Sequence, residues 1–354
     1  MGCCCGGGKA AREDVYKYET EKMCSIIFRC KGSVIPKVLF RSFLSMCAGI
    51  TALVLWYWHV KEQRHKHFYF DTNSDAHVYV GMLISLLQVF RTNASYAQYD
   101  KGITAVLVMR NNLLNFVSQS TALVHGDPET CEEIRNDMAR LCTLLFVVVK
   151  KYLHDEESHS VKQSLFRGKE EQLLYSASVQ SRPGIVISWL RQRVAKGVAD
   201  GYIVGGPQAG AMDANLTSVW NNLVSCMRIK EYHMPFPYAQ MVKFAVCVFV
   251  FIAPFSYVSD VQFATPLVNF VIGLILFGVD EIGVEIEDPF GKDPNDLRIK
   301  PLIVEMEEEM AQIFTTCHQH PYKLLYSPTW GVPDEEEDDK DQEASNTTPL
   351  LGKE

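Results

Sequence analysis

The sequence predicts an all-α membrane protein: four membrane-crossing helices bracket a large cytosolic helical domain. Three observations predict it. Apolar runs fall in two pairs, Phe43 to Trp58 with about His77 to Phe90, and Met241 to Val258 with Leu267 to about Val284. Between the pairs, Val106, Met109, Leu113 and Phe116, and again Met138, Leu141, Leu145 and Val148, recur at helical spacing. Basic residues crowd one end. Eight of them (Lys9, Arg12, Lys17, Lys22, Arg29, Lys31, Lys37, Arg41) precede the first run, and three (Lys61, Arg64, Lys66) separate it from the second. The positive-inside rule therefore keeps the N-terminus in the cytosol.

Composition bounds the alternatives. A chain of 354 residues has room for two soluble domains or for one polytopic membrane unit with a cytosolic part. Much of the net charge of −8 comes from the run Asp334 to Asp341. The basic residues form no stripe interleaved with aromatics, so nucleic acid is not an expected partner. The eleven cysteines show no metal-site or disulfide rhythm, which points to reduced thiols.

Taken in order, residues 1–37 read as a cytosolic, lipid-anchored N-terminal segment. Gly2 stands at a myristoylation position and Cys3, Cys4 and Cys5 at palmitoylation positions, although Gly6 replaces the Ser or Thr of the myristoylation pattern. A flexible Gly/Cys-rich tail is the alternative. Residues 38–100 hold the first two membrane helices. Trp56, Tyr57 and Trp58 form an aromatic belt at the outer face, and His59, His65 and His67 read as a solvated loop. The second helix continues past Arg91 to Arg110 and Leu114 without a stop. Residues 101–238 form the cytosolic helical domain, whose last helix is expected over Asn215 to Ile229 after the Gly/Pro-rich break. Residues 239–287 carry the third and fourth membrane helices, with Gly273, Gly278 and Gly283 permitting close packing. Residues 288–331 hold an acidic segment and an amphipathic helix, Ile303 to Phe314. The tail, 332–354, is acidic and expected to be disordered.

Two constellations carry the function. Met82, Leu86 and Phe90 recur at i, i+4 and i+8 and share one stripe of a helix that ends its apolar run at Arg91. The stretch Asp280 to Asp296 holds seven carboxylates, a density of hard oxygen ligands that suits Ca²⁺.

Four motifs resemble the bestrophin and bestrophin-like channel family, in order and in spacing. Phe90 to Tyr96 (FRTNASY) looks like the family's FRTN-x-SY. Lys31-Gly32-Ser33, Cys226 to Tyr238 (CMRIKEYHMPFPY) and Glu285 to Asp296 (EIEDPFGKDPND) complete the set. The resemblance implies a homopentamer in the bilayer around a central pore, passing chloride and other monovalent anions. In it, Met82, Leu86 and Phe90 match an apolar neck. Such a neck gates by dewetting or favours weakly hydrated anions. Arg91, just inside, either attracts anions or pairs with an acidic neighbour or lipid phosphate. Asp293 and Asp296 match the two side-chain ligands of the calcium clasp of animal bestrophins, with Glu285 and Asp288 as main-chain carbonyl ligands. Lys292 and Pro294 stand where that clasp has acids, and helix capping is the alternative. Gln98, Tyr99, Asp100 and Lys101 depart from the family's Arg-aromatic-aromatic-Glu, so selectivity set there does not carry over.

Other readings stay beside this one. They are a cation-selective channel of the same fold, a non-conducting lipid-anchored scaffold, and a membrane metalloenzyme using Glu281, Glu285, His318 and His320. The last lacks the Glu-x-x-His or His-x-x-x-His spacing such sites use. With no nucleophile elbow, Walker loop or dinucleotide fingerprint, no enzymatic activity is expected. The implied location is the plasma membrane or an endomembrane, with both termini cytosolic.

Overall fold

The computed structural model describes residues 29, 32–62, 74–156, 161–291, 293–318 and 325. The lipidation positions Gly2, Cys3, Cys4 and Cys5, the histidines His65, His67 and His320, Lys292 and the acidic tail lie outside them. Helices follow one another as α1 (Ile35–Glu62), α2 (Ser74–Leu123), α3 (Pro128–Leu153), α4 (Glu170–Ser176), α5 (Arg182–Ala199), α6 (Pro207–Glu231), α7 (Phe236–Val261), α8 (Thr265–Glu285) and α9 (Ile299–His318). An isolated antiparallel bridge joins Val124 and Ile203.

Three helix starts have a local cause. Pro128 and Pro207 open α3 and α6, and Pro266 lies in the first turn of α8; proline's fixed φ suits a first turn, where its missing N–H costs nothing. Asp127 caps α3 by accepting the Thr130 N–H at 3.2 Å. The last helix of the middle region starts at Pro207, eight residues before the expected Asn215, because Gly210 is absorbed into the helix. The long second helix is continuous, as the absence of an internal stop predicted: α2 has 50 residues, about 75 Å at 1.5 Å per residue.

The chain divides into two compact units, Met1–Leu113 with Val149–Glu157 and Ala214–Ile299, and Leu114–Val148 with Ser158–Asp213 and Lys300–Glu354. In the first, α1 packs along α8 and α7. Val38, Ile84, Val246, Val250 and Phe277 are buried together. Among the described residues, two stretches are apolar and long enough to cross a membrane, Ile35–Trp58 and Phe236–Glu285, the latter being α7 and α8 with the turn Gln262–Ala264 between them.

Backbones meet closely on the α1–α8 face. A Cβ on Gly273 would lie 2.4 Å from Ser45 Oγ, and one on Gly49 would lie 2.8 Å from Pro266 Cα. The approach lets Ser45 Oγ donate to the Asn269 carbonyl at 3.2 Å while Asn269 Nδ2 donates to the Ser45 carbonyl at 2.6 Å. Tyr257 OH, from α7, donates to Asn269 Oδ1 at 2.9 Å. Polar side chains in an apolar helix bundle hold only when satisfied across helices, and here three helices share one set of bonds.

The second unit is built on a buried charge network. Arg140 donates to Asp137 from Nε at 3.0 Å and Nη2 at 2.7 Å, and to Glu170 and the Leu165 carbonyl from Nη1 at 2.8 and 2.5 Å. Arg193 of α5 reaches Asp137 at 2.8 Å. Replacing one partner would strand the others in low dielectric, so the network fixes α3 against α5. In α9 the buried Glu307 accepts the Leu325 N–H at 2.6 Å.

Candidate functional site

The segment of α2 from Val78 to Asp100 has one covered face and one bare face. Ile84, Gln88, Arg91 and Ser95 are buried. At 3.6 residues per turn these four fall within about 60° of one another. Met82, Leu86 and Phe90 are 65%, 49% and 58% exposed, and the same arithmetic centres them about 180° away. Asn93, Ala97 and Asp100 are also exposed and continue that stripe.

Polar bonds hold the covered face. Gln88 Nε2 donates to the Leu276 carbonyl of α8 at 2.8 Å. One turn on, the Arg91 guanidinium pairs with Asp280 of α8, and both side chains are almost fully buried. Lys243 of α7 stands 3.8 Å from the other oxygen of Asp280. Further along, Tyr99 OH donates to the Asn295 carbonyl at 3.2 Å. Gly102 lets Pro289 and Phe290 approach: a Cβ there would meet Pro289 Cγ at 2.8 Å. The seam fixes the rotation of α2 about its axis.

Arg91 is therefore not on the stripe it follows in sequence. Expected either as an anion attractor or as one half of a salt bridge, it points away from the stripe and into an ion pair. The reason is angular, since one residue is about 100° of rotation, and the acid that receives it comes from α8. Of the two roles weighed from sequence, the geometry carries the salt bridge.

The acidic segment is organised around a lysine. Lys37 of α1 reaches Glu285 Oε1 at 2.7 Å and Asp293 Oδ1 at 3.4 Å. One helical turn along α1, Arg41 pairs with Glu281 at 3.1 Å. The spacing on both antiparallel helices is four residues, and this ladder is the signal that could have found the pair from sequence. Asn295 Nδ2 donates to Glu285 Oε2 at 3.2 Å and to the Gly32 carbonyl at 3.1 Å. Asp288 Oδ1 accepts the Phe290 N–H at 3.0 Å, and Asp296 Oδ2 accepts the Asp293 N–H at 2.5 Å. Burial lifts the Asp296 carboxyl from 3.8 to about 6, with Asp293, Asp288 and Glu285 adding negative charge and the Asp293 N–H pulling the other way. His154, 3.4 Å from the Gly291 carbonyl through Nδ1, is held below the usual histidine value, first by burial.

This arrangement does not fit Ca²⁺. The ion takes six to eight oxygens, whereas among the described residues no three His, Cys, Asp or Glu side chains converge as a metal requires. Of the two side chains the resemblance assigns, Asp293 Oδ1 already faces the Lys37 ammonium and Asp296 Oδ2 accepts a backbone N–H, while Asp296 Oδ1 is buried without a hydrogen-bond partner. The metalloenzyme reading loses its carboxylates too, because Glu281 and Glu285 are each paired with a cation.

An all-helical membrane protein with one long helix bared along an apolar stripe is the class that fold and site define. The family model for the bacterial and fungal bestrophin proteins matches residues 15–312, and the chain belongs to that family. A voltage-dependent anion channel-forming protein of Synechocystis is 27% identical over 290 residues, covering 81% of this chain and 90% of its own length. The Nostoc protein of the same description is 27% identical over 292 residues, again covering 81% and 90%. The crystal structure of a bacterial bestrophin homologue from Klebsiella pneumoniae superposes with a TM-score of 0.69 at 20% identity, covering 80% of this chain and all of the other. That likeness carries the fold.

Proposed function

We propose that the protein is a homopentameric channel for chloride and other monovalent anions, with α2 of each subunit lining the pore and Met82, Leu86 and Phe90 forming its neck. The observation that carries the reading is the bare apolar stripe set opposite a polar seam. With Gln88 and Arg91 gripped on the covered side, Met82, Leu86 and Phe90 lie near the middle of an exposed face that also carries Leu83, Leu87 and Val89, the position from which a helix meets a central axis. Related proteins described as anion channel-forming support the choice of ion. Four crossings, by α1, the first part of α2, α7 and α8, bring both termini to the cytosolic side, where lipids on Gly2, Cys3, Cys4 and Cys5 would add anchorage. Transport is passive, and the chain needs no catalytic group. An apolar ring of five copies closes by dewetting and passes weakly hydrated anions more readily than strongly hydrated ions.

One observation favours a second reading. With Arg91 turned away, the first charged residue on the stripe below Phe90 is Asp100, and a ring of carboxylates attracts cations. The purified protein in a planar bilayer under a KCl gradient separates the two. Reversal near the chloride potential supports the anion channel. Reversal near the potassium potential supports the same fold with cation selectivity, and silence from a verified pentamer supports the scaffold.

A further inference from the structure

The acidic turn after α8 touches three elements at once. Lys37 and the Gly32 carbonyl hold it from the start of α1, Glu285 holds it from the end of α8, and Tyr99 and Gly102 hold it to α2. Tyr99 is nine residues below Phe90, about 14 Å along the helix. Whatever cation neutralises this turn therefore sets where the lower part of the neck helix rests. Glu285 is 8% exposed, and a carboxylate that deep needs a partner charge. The partner present is part of the chain.

We propose that the Lys37 ammonium is a built-in cation that permanently bridges Glu285 and Asp293, so that the acidic turn is locked to the neck helix without a divalent ion. Lys37 is then a positioning residue for the pore. The inference rests on the channel reading for its effect on current, but not for its effect on metal binding. Four features agree with it. The 2.7 Å contact neutralises the buried Glu285 carboxylate, and the 3.4 Å contact sets the same ammonium on Asp293, a side chain that the resemblance offers to a metal. Asn295 saturates the other oxygen. Asp288 and Asp296 each give an oxygen to backbone N–H groups inside the turn. Lys37 stands one turn from Arg41, so α1 presents both cations to the α8 end in register.

The test uses full-length pentamer and two readouts, thermal stability with millimolar CaCl₂ against chelator, and open probability in planar bilayers under the same two conditions. For the wild-type protein, calcium leaves both unchanged. Lys37→Gln frees Glu285 and Asp293. Its open probability falls several-fold in chelator and recovers with calcium, which now also raises its melting temperature by mass action. Lys37→Arg keeps the wild-type behaviour. Calcium-dependent stabilisation of the wild-type protein, or loss of its current on chelation, overturns the proposal. So does a Lys37→Gln protein that matches wild type in both readouts. A variant that does not assemble leaves the wild-type arm decisive. A wild-type protein that carries no current refutes the channel reading alone, since the thermal shift still reads the metal.

Discussion

Neutralising Asp280 is the sharpest perturbation of the seam. Asp280 is 5% exposed and Arg91 is 2% exposed, and the residue standing 3.8 Å from the second Asp280 oxygen is another cation, Lys243. Asp280→Asn removes the acid from this group and leaves the Arg91 guanidinium buried with no counter-charge. Breaking a buried pair from one side costs about 3–5 kcal/mol. Lys243 is 46% exposed on its side chain and swings to water, so it adds little. The loss is a large part of the roughly 5–15 kcal/mol that holds a typical domain, and most of the assembled protein should disappear at ordinary temperature. Replacing both partners, Arg91→Met with Asp280→Leu, removes the stranded charge and should restore stability to within about 1 kcal/mol of wild type, because a buried pair exchanged for apolar side chains is often neutral. Thermal unfolding in detergent followed by size exclusion measures both variants, and the reversal potential of the double variant should equal that of wild type. A cost for Asp280→Asn below about 1 kcal/mol, the range of solvated pairs, would refute the buried seam. So would a stable double variant with a shifted reversal potential, because Arg91 would then face the permeant ion.

The remaining predictions touch other parts of the argument. Leu86→Ala and Phe90→Ala remove side chains that are 49% and 58% exposed in the subunit, so single-channel conductance should rise with little change in melting temperature. Asp100→Asn should increase the chloride-to-potassium permeability ratio, read from the reversal potential; no change would take Asp100 off the pore. Gly273→Ala puts a Cβ 2.4 Å from Ser45 Oγ and should destabilise by about 1–3 kcal/mol, the usual range for overpacking, with Ser45→Ala recovering part of it. The folded Asp296 holds its proton from 3.8 up to about 6, so the native state binds more protons than the unfolded chain across that window. Stability therefore falls as pH rises through it, by at most about 3 kcal/mol, and Asp296→Asn should flatten this slope in melting temperature against pH. His154 acts in the other direction: its lowered value means stability is lost as pH falls below 6.5, and His154→Gln separates the two.

Long-period features of the fold could be read from sequence, and the pairings that orient its site could not. The helices of the first unit follow from apolar runs and prolines, and the unbroken α2 from the absence of a stop. The stripe of Met82, Leu86 and Phe90 emerged from spacing alone and is on one exposed face. What spacing cannot tell is which face a neighbour covers, because that depends on residues nearly two hundred positions away, such as Leu276 and Asp280. Both roles of Arg91 stayed open in the sequence for this reason. The acidic segment poses a related problem. Counting carboxylates measures negative charge and says nothing of the cation already supplied by Lys37, 248 residues earlier than Glu285. Had α1 and α8 been aligned antiparallel, Lys37 with Glu285 and Arg41 with Glu281 would both have emerged from one register.

That register bears on how such a neck holds its shape. An apolar ring gains nothing from hydrogen bonds or ion pairs of its own, so its diameter is set by whatever fixes the helices behind it. Here the fixing groups are paired charges and amides in low dielectric, where a satisfied network is rigid and a half-satisfied one is costly. Gln88 and Arg91 set the rotation of α2 beside the proposed neck, and on the Lys37 proposal the turn sets its position lower down through Tyr99 and Gly102. Substitutions in the stripe should therefore change conductance more than stability, and substitutions of Gln88, Arg91 or Asp280 should do the reverse. A stripe variant that unfolds the protein, or a variant of those three residues that alters conductance at full stability, would break this division of labour.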